Sequence, residues 1–343
     1  MTLRVATVLS AREWEARLVG AARSTAAVRL VVRAFRPDEI LERGSEIDVV
    51  VVGSEVPWAT TARIAAWSRS GLRVVGVHPA GDRPACERLK AGGADLVIPD
   101  DLPAEAMLRE IRLLEPASSR AAVEFPLVAV TGPRGAPGRT EVALALAWLM
   151  AGHGIVVLAD GDLEAPGVAI RMGVPPRPDL TDAVDEVHGS GSISSDALHA
   201  VGRLRVLPGS HRPGEPPLRI EPVQDVLDAI RSDSGVVVDC GPWPLRSELV
   251  KAATTAVVVV DSSPRGIVRA AGMLAEWAGP PPCLVLNRLP RSGREDAVLA
   301  TRRWTGLDPV ALIPDTPRVA AAARAGAPPA RPLLKHLHAV AGR

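Results

Sequence analysis

Residues 125–150 read FPLVAVTGPRGAPGRTEVALALAWLM. The apolar run from Leu127 to Thr131 has the length and β-branched content of a buried strand. A glycine- and proline-rich turn, PRGAPGRT, follows it and passes directly into an alanine- and leucine-rich helical pattern. Strand, glycine loop and helix in that order bring consecutive backbone amides to the positive end of a helix, an arrangement suited to phosphate. Thr140, at the end of the loop, supplies a hydroxyl of the kind that ligates magnesium beside a phosphate.

Four further stretches follow in order. IVVLADGDLEAPGVAIRMGV places Asp160 and Asp162 after an apolar strand, and GVVVDCGPWP ends its strand on Asp239. CLVLNRLP carries Asn287 and Arg288, and ALIPDTPRVAAAARAG carries Pro314 and Asp315. Each alone is an ordinary parallel strand ending in polar residues. Together, and behind the loop, they resemble the MinD/ParA family of P-loop ATPases, whose deviant Walker A loop reads KGGVGKT where this chain reads RGAPGRT.

The resemblance implies roles for these residues. Gly135, Ala136, Gly138, Arg139 and Thr140 correspond to the phosphate cradle, with Arg139 at the ordinary P-loop lysine. Arg134 falls at the signature lysine, which in the family reaches across a nucleotide sandwich dimer. Asp162 is implied to orient the attacking water and Asp160 to support the switch region. Thr140 and Asp239 are implied to hold Mg2+, Asp239 through water, and Asn287, Arg288 and Pro314 to receive the adenine of ATP or ADP. The departures matter physically. Guanidinium binds phosphate but is larger and differently shaped than ammonium, Pro137 has no N–H to donate, and Ala136 adds a Cβ where the family has glycine. The chain has only Lys90, Lys251 and Lys335 as lysines against many arginines, so compositional drift accounts for lysine-to-arginine exchange, though not for the prolines. Weak ATPase activity is the expectation.

Length and composition bound the rest. A chain of 343 residues, 47% hydrophobic and 23% charged, is expected to form two globular domains of the α/β class. Strand candidates Arg4–Leu9, Asp48–Val52, Arg73–Val77 and Asp95–Ile98 alternate with helical stretches in a first, flavodoxin-like domain at 1–115. A linker is placed at 116–124, within EPASSRAAVE, and a P-loop domain with a mostly parallel, doubly wound sheet at 125–343. Its strand candidates are Leu127–Thr131, Ile155–Asp160, Leu204–Leu207, Gly235–Asp239, Ala256–Asp261, Cys283–Asn287 and Val310–Pro314, with surface loops at Pro175–Pro178 and Gly209–Pro217.

The first domain resembles a two-component receiver in shape but lacks its chemistry. Gly53 stands where the phospho-acceptor aspartate belongs, and Ser10 and Pro99 occupy the regions of the acidic cluster and the lysine. Glu55, Asp100 and Asp101 are read as solvated rather than as a displaced metal site. Trp14 and Trp67 are assigned to the core, and Trp58, after Pro57, to an exposed loop or docking surface. A pseudo-receiver joined to a deviant P-loop domain resembles the CpaE/TadZ-like branch, which includes pilus-assembly localisation factors and the septum site-determining proteins of actinobacteria.

That resemblance implies a dimerising nucleotide switch that positions a septum or a Tad-type pilus apparatus. The alternative is a non-hydrolysing scaffold that localises partners through its pseudo-receiver. A metabolic or iron–sulfur P-loop enzyme is disfavoured because Cys86, Cys240 and Cys283 are scattered. The expected partners are a second copy through the nucleotide face and proteins of a division or secretion apparatus. A formal charge of +1 argues against DNA. The start MTLRVATVLS lacks signal-peptide character, so a cytoplasmic protein is expected, recruited if at all to the inner face of the membrane at pole or septum. In RPLLKHLHAVAGR, Leu333, Leu334, Leu337 and Val340 fall at helical spacing and read as a final core helix rather than a membrane anchor, leaving any membrane association indirect.

Overall fold

The computed structural model describes residues 2–36, 39–40, 43–114, 125–210, 212, 218–245 and 247–342. The expected linker, and most of the Gly209–Pro217 loop, lie outside the described residues. The chain divides into two compact units, Met1–Val123 with Asp185–Ile193, and Glu124–Val184 with Ser194–Arg343.

The first unit holds a five-stranded sheet of β1 (Leu3–Val8), β2 (Val28–Ala34), β3 (Val49–Gly53), β4 (Arg73–His78) and β5 (Leu96–Pro99). Its order is β2-β1-β3-β4-β5, parallel throughout, which is the flavodoxin-like doubly wound order. Helices flank both faces, so β3, the run VVVVG, is buried at every position, as a central parallel strand must be. Trp14 and Trp67 are buried in the two opposite cores, as expected. Trp58 is not free: it is half-buried and meets Trp67 edge-on at 6.3 Å between ring centroids. Of the three acidic residues read as solvated, Asp101 is exposed, but the other two have partners. Glu55 accepts from the Ser10 hydroxyl and from Trp14 Nε1 (3.1 Å), and Asp100 pairs with Arg12 (2.5 Å).

The second unit holds eight strands: β6 (Leu127–Gly132), β7 (Val156–Asp160), β8 (His199–Val201), β9 (Leu204–Leu207), β10 (Gly235–Pro242), β11 (Thr255–Asp261), β12 (Pro282–Leu289) and β13 (Ala311–Pro314). Their order is β13-β12-β11-β6-β10-β7-β9-β8, and every pairing is parallel except β8 with β9. From β6 the chain runs outward to β7 and β9, returns to β10, then leaves on the other side through β11, β12 and β13. That reversal opens a crevice at the carboxyl ends of β6, β10 and β7, where open α/β sheets take their ligands. The valines at 128, 130, 237, 257 and 259 point into one core with the helix Arg139–Met150 and the helix Arg331–Ala341. Leu333, Leu337 and Val340 are buried there, so this last helix is a core element. No helix among the described residues is long and apolar enough to cross a membrane.

Two strands differ from the sequence reading. β2 (VRLVVRA) was not among the strand candidates because Arg29 and Arg33 break its apolar run, and β8 is a three-residue antiparallel edge strand too short to leave a pattern.

Candidate phosphate-binding site

β6 carries Gly132 to the crevice, and the loop then climbs to the helix Arg139–Met150. Gly138 is the helix N-cap, at φ 87°, with no side chain capping the helix. A side chain would be strained there, and its Cβ would lie 2.5 Å from Asn287 Nδ2. The amides of Arg139, Thr140 and Glu141 have no intrahelical acceptor by geometry and form the open, positive end of a helix. The two substituted positions supply less. The Ala136 amide is committed to the Pro133 carbonyl at 3.0 Å, and Pro137 donates nothing. Its carbonyl instead accepts Asn287 Nδ2 at 2.9 Å.

Thr140 Oγ1 donates to Asp239 Oδ2 at 2.6 Å. Asp239, at the end of three valines in β10, is 3% exposed. Burial pushes its carboxyl above the usual range, while the Thr140 hydroxyl, the Gly241 amide and the Arg139 charge favour ionisation. Arg139 Nη1 is buried without a hydrogen-bond partner. An orphaned guanidinium nitrogen, an uncapped helix start and a Thr–Asp pair together match the chemistry of a magnesium-bound polyphosphate. No cluster of three or more His, Cys, Asp or Glu occurs among the described residues. Mg2+ takes one or two carboxylates and keeps waters and substrate phosphates as its other ligands, and Thr140 with Asp239 is a donor set of that kind.

Asp160 lies beside Asp239 in the β7–β10 register. Only 1% exposed, it accepts from the amides of Gly167 (2.8 Å), Val168 (2.9 Å) and Asp162 (3.2 Å). Burial pushes its pKa up to about 7, and the neighbouring Asp239 adds to the shift. Asp160 thus shapes the loop that follows it. Asp162 accepts from the Ala165 amide at 3.2 Å and rests against Gly241, where a Cβ would approach its carboxyl to 2.6 Å. Arg134 is exposed and 3.9 Å from Glu164, and its carbonyl accepts from Arg269 Nη1 at 3.2 Å.

On the other side of the helix start is a cavity of about 220 Å³ lined by Gly138, Glu141, Asn287, Arg288, Pro314 and Val319. The structure brings Arg139, Thr140 and Asp162 near Asp239, sets Asp160 beside it on the next strand, and gathers Gly138, Asn287, Arg288 and Pro314 around the cavity, while Arg134 and Arg288 are exposed. Arg288 holds a left-handed backbone (φ 56°), its carbonyl accepting from Ser262 at 2.7 Å.

Three features had no signal in the sequence. Glu141 and Arg171, thirty residues apart, form a buried forked ion pair (Nη2 to Oε2 3.0 Å, with a short Nε to Oε1 contact), and Arg171 Nη1 also donates to the Ala327 carbonyl at 2.9 Å. Arg269 reaches the loop from the helix Pro264–Ala275. Trp243, stacked on Trp277 at 4.8 Å, donates its amide to the Gly132 carbonyl at 2.9 Å and so joins the exit of β10 to the loop.

No protein-family pattern matches the chain. No curated protein matches it either. Solved structures do. The ParA family ATPase of Chlorobium tepidum superposes with a TM-score of 0.56 at 15% identity, over 64% of this chain and 99% of that one. Aquifex aeolicus MinD, a cell division protein, gives 0.51 at 18% identity, over 64% and 98% of the two chains. A chain of the MinC:MinD cell division protein complex of the same organism gives 0.52 at 18% identity, over 64% and 96%. About two-thirds of this chain therefore has the fold of the MinD and ParA ATPases.

Proposed function

We propose that this chain binds ATP with Mg2+ at the Gly132–Thr140 loop and acts as a dimerising, weakly hydrolysing switch that positions a septum or pilus apparatus. The observation that carries the proposal is the convergence on one crevice of an uncapped helix start, the orphaned Arg139 Nη1 and the Thr140–Asp239 pair. Gly135, Gly138, Arg139 and Thr140 would hold the phosphates, Thr140 and Asp239 the metal, and Asn287, Arg288 and Pro314 the base. The bound nucleotide would supply the phosphoryl group and the charge that both neutralises and occupies this pocket. Asp162 would orient a water at the crevice, and Asp160 fixes the loop carrying it. Arg134, which is exposed, would meet a second copy.

The same fold supports the finer reading of residues 1–115 as a pseudo-receiver and 125–343 as the nucleotide-binding domain of a CpaE/TadZ-like protein. The flavodoxin-like strand order supports it, and so does Glu55, whose carboxylate folds onto Gly53 where an acceptor side chain would stand. In this reading the protein is cytoplasmic and reaches the membrane through its partners.

One observation favours a second reading, a scaffold that does not hydrolyse ATP: two loop positions give no amide to a ligand, Ala136 through its turn and Pro137 through its ring. Sedimentation velocity separates the two. The switch predicts a dimer with Mg-ATP and monomers with ADP or no nucleotide; the same species under all three conditions selects the scaffold.

A further inference from the structure

The first unit carries a cleft unrelated to the nucleotide crevice. Its volume is about 490 Å³; Val19, Val28 and Leu30 are among its apolar lining residues, and Arg23, Arg29 and Arg33 bring positive charge to it. Arg33 is forked onto the buried carboxylate of Glu15, Nε to Oε1 2.9 Å and Nη2 to Oε2 2.7 Å, so its charge is matched. Arg23 and Arg29 are exposed and have no carboxylate partner among the described residues. In a chain of formal charge +1, that is a local excess of positive charge.

The cleft borders β2, the outermost strand of its sheet. One edge of β2 is bonded to β1, and no strand among the described residues pairs with the other. Immediately beyond β2, Phe35 is 63% exposed. A free strand edge presents main-chain donors and acceptors at fixed spacing. Apolar lining, unmatched guanidinium groups and an exposed aromatic ring lie beside it.

We infer that this cleft docks a short, extended, acidic segment of a partner protein. The segment would hydrogen-bond along the free edge of β2, lay apolar side chains on the lining and set carboxylates against Arg23 and Arg29. Strand addition of this kind takes affinity from main-chain bonds and specificity from the flanking side chains. A second copy is a poor occupant, because its β2 edge offers arginines and no carboxylate to the unmatched Arg23 and Arg29. A phosphate group, free or on a lipid, would answer the arginines and leave the strand edge and apolar surface uncovered. The segment is short because the β1–β2 register skips Val31, dividing β2 into two regular runs, Val28 to Leu30 and Val32 to Ala34.

The test is independent of nucleotide binding. A fluorescein-labelled peptide of alternating glutamate and valine is titrated into the full chain and followed by anisotropy, with a lysine–valine peptide as the sign control. Saturable binding of the acidic peptide alone is expected, weakened ~10-fold or more in Arg23→Glu/Arg29→Glu and unchanged in Arg83→Glu, an exposed charge beyond the opposite side of the sheet. Circular dichroism confirms that the variants fold. Equal binding of both peptides, equal loss in the Arg83→Glu control, or stronger binding to phosphatidylglycerol vesicles than to peptide would overturn the inference. So would a dimer in sedimentation that Arg29→Glu abolishes.

Discussion

Replacing Arg171 by Met removes one half of the buried pair with Glu141, whose side chains are only 7% and 14% exposed. An ion left alone in such a place costs ~3–5 kcal/mol. Glu141 retains a little access to water, so the lower figure, ~3 kcal/mol, is expected for Arg171→Met. Glu141→Leu should cost less, ~2 kcal/mol, because Arg171 keeps the Ala327 carbonyl as a partner. The double variant Glu141→Leu/Arg171→Met has no stranded charge and should lose only ~2 kcal/mol, giving a coupling of ~3 kcal/mol between the two positions. Hydrogen exchange of the helix Arg139–Met150 across a urea series reports this for the second unit by itself. The consequence reaches the site, because Glu141 follows Thr140 at the start of the phosphate-facing helix. In Arg171→Met its unmatched carboxylate would repel an anionic ligand and weaken ATP binding by ~10-fold or more, and the double variant should recover most of that loss. Additive stabilities, to within ~0.5 kcal/mol, would refute the coupling. ATP affinity no better in the double variant than in Arg171→Met would refute the electrostatic reasoning.

Gly138→Ala should destabilise the second unit by ~2–3 kcal/mol, from the left-handed backbone and the displaced Asn287–Pro137 bond, seen as an earlier urea midpoint. An unchanged midpoint would mean the loop relaxes freely. Because the folded-state pKa of Asp160 is raised from 3.8 to about 7, the native state holds its proton more tightly than the unfolded chain does. That contribution is complete below about pH 4 and is lost as pH rises through 7, so stability in magnesium-free buffer should fall by up to ~3 kcal/mol between pH 5 and 8. Asp160→Asn should flatten the profile; parallel slopes in variant and parent would assign the titration elsewhere. Arg134→Ala, at an exposed position, should leave stability within ~0.5 kcal/mol and nucleotide affinity intact, yet abolish the ATP-dependent dimer in sedimentation.

Much of the second unit was legible because its central strands β6, β7, β10 and β11 carry continuous apolar, valine-rich runs followed by a polar residue that the parallel fold delivers to one edge. Asp160, Asp239 and Asn287 could be placed after apolar runs from the sequence alone, and the structure bonds Asp239 and Asn287 to the loop and sets Asp160 beside Asp239. What escaped notice is tertiary. Nothing in the local pattern links Glu141 to Arg171, or Arg269 to the Arg134 carbonyl, because the segments that present them meet only in the fold. β2 was missed because an edge strand alternates charge with apolar residues, which blurs the period that marks a buried one. Trp58 looked exposed because it follows a proline, but a large ring beside Trp67 gains more by packing.

The central claim is that the Gly132–Thr140 loop holds polyphosphate although it has no lysine and two prolines. Isothermal titration of the full chain with Mg-ATP, alongside Arg139→Ala and Thr140→Val, tests it most directly. Saturable binding by the parent, lost in Arg139→Ala and dependent on magnesium through Thr140, is the predicted result. No saturable heat in the parent, or binding that both substitutions leave untouched, would contradict it.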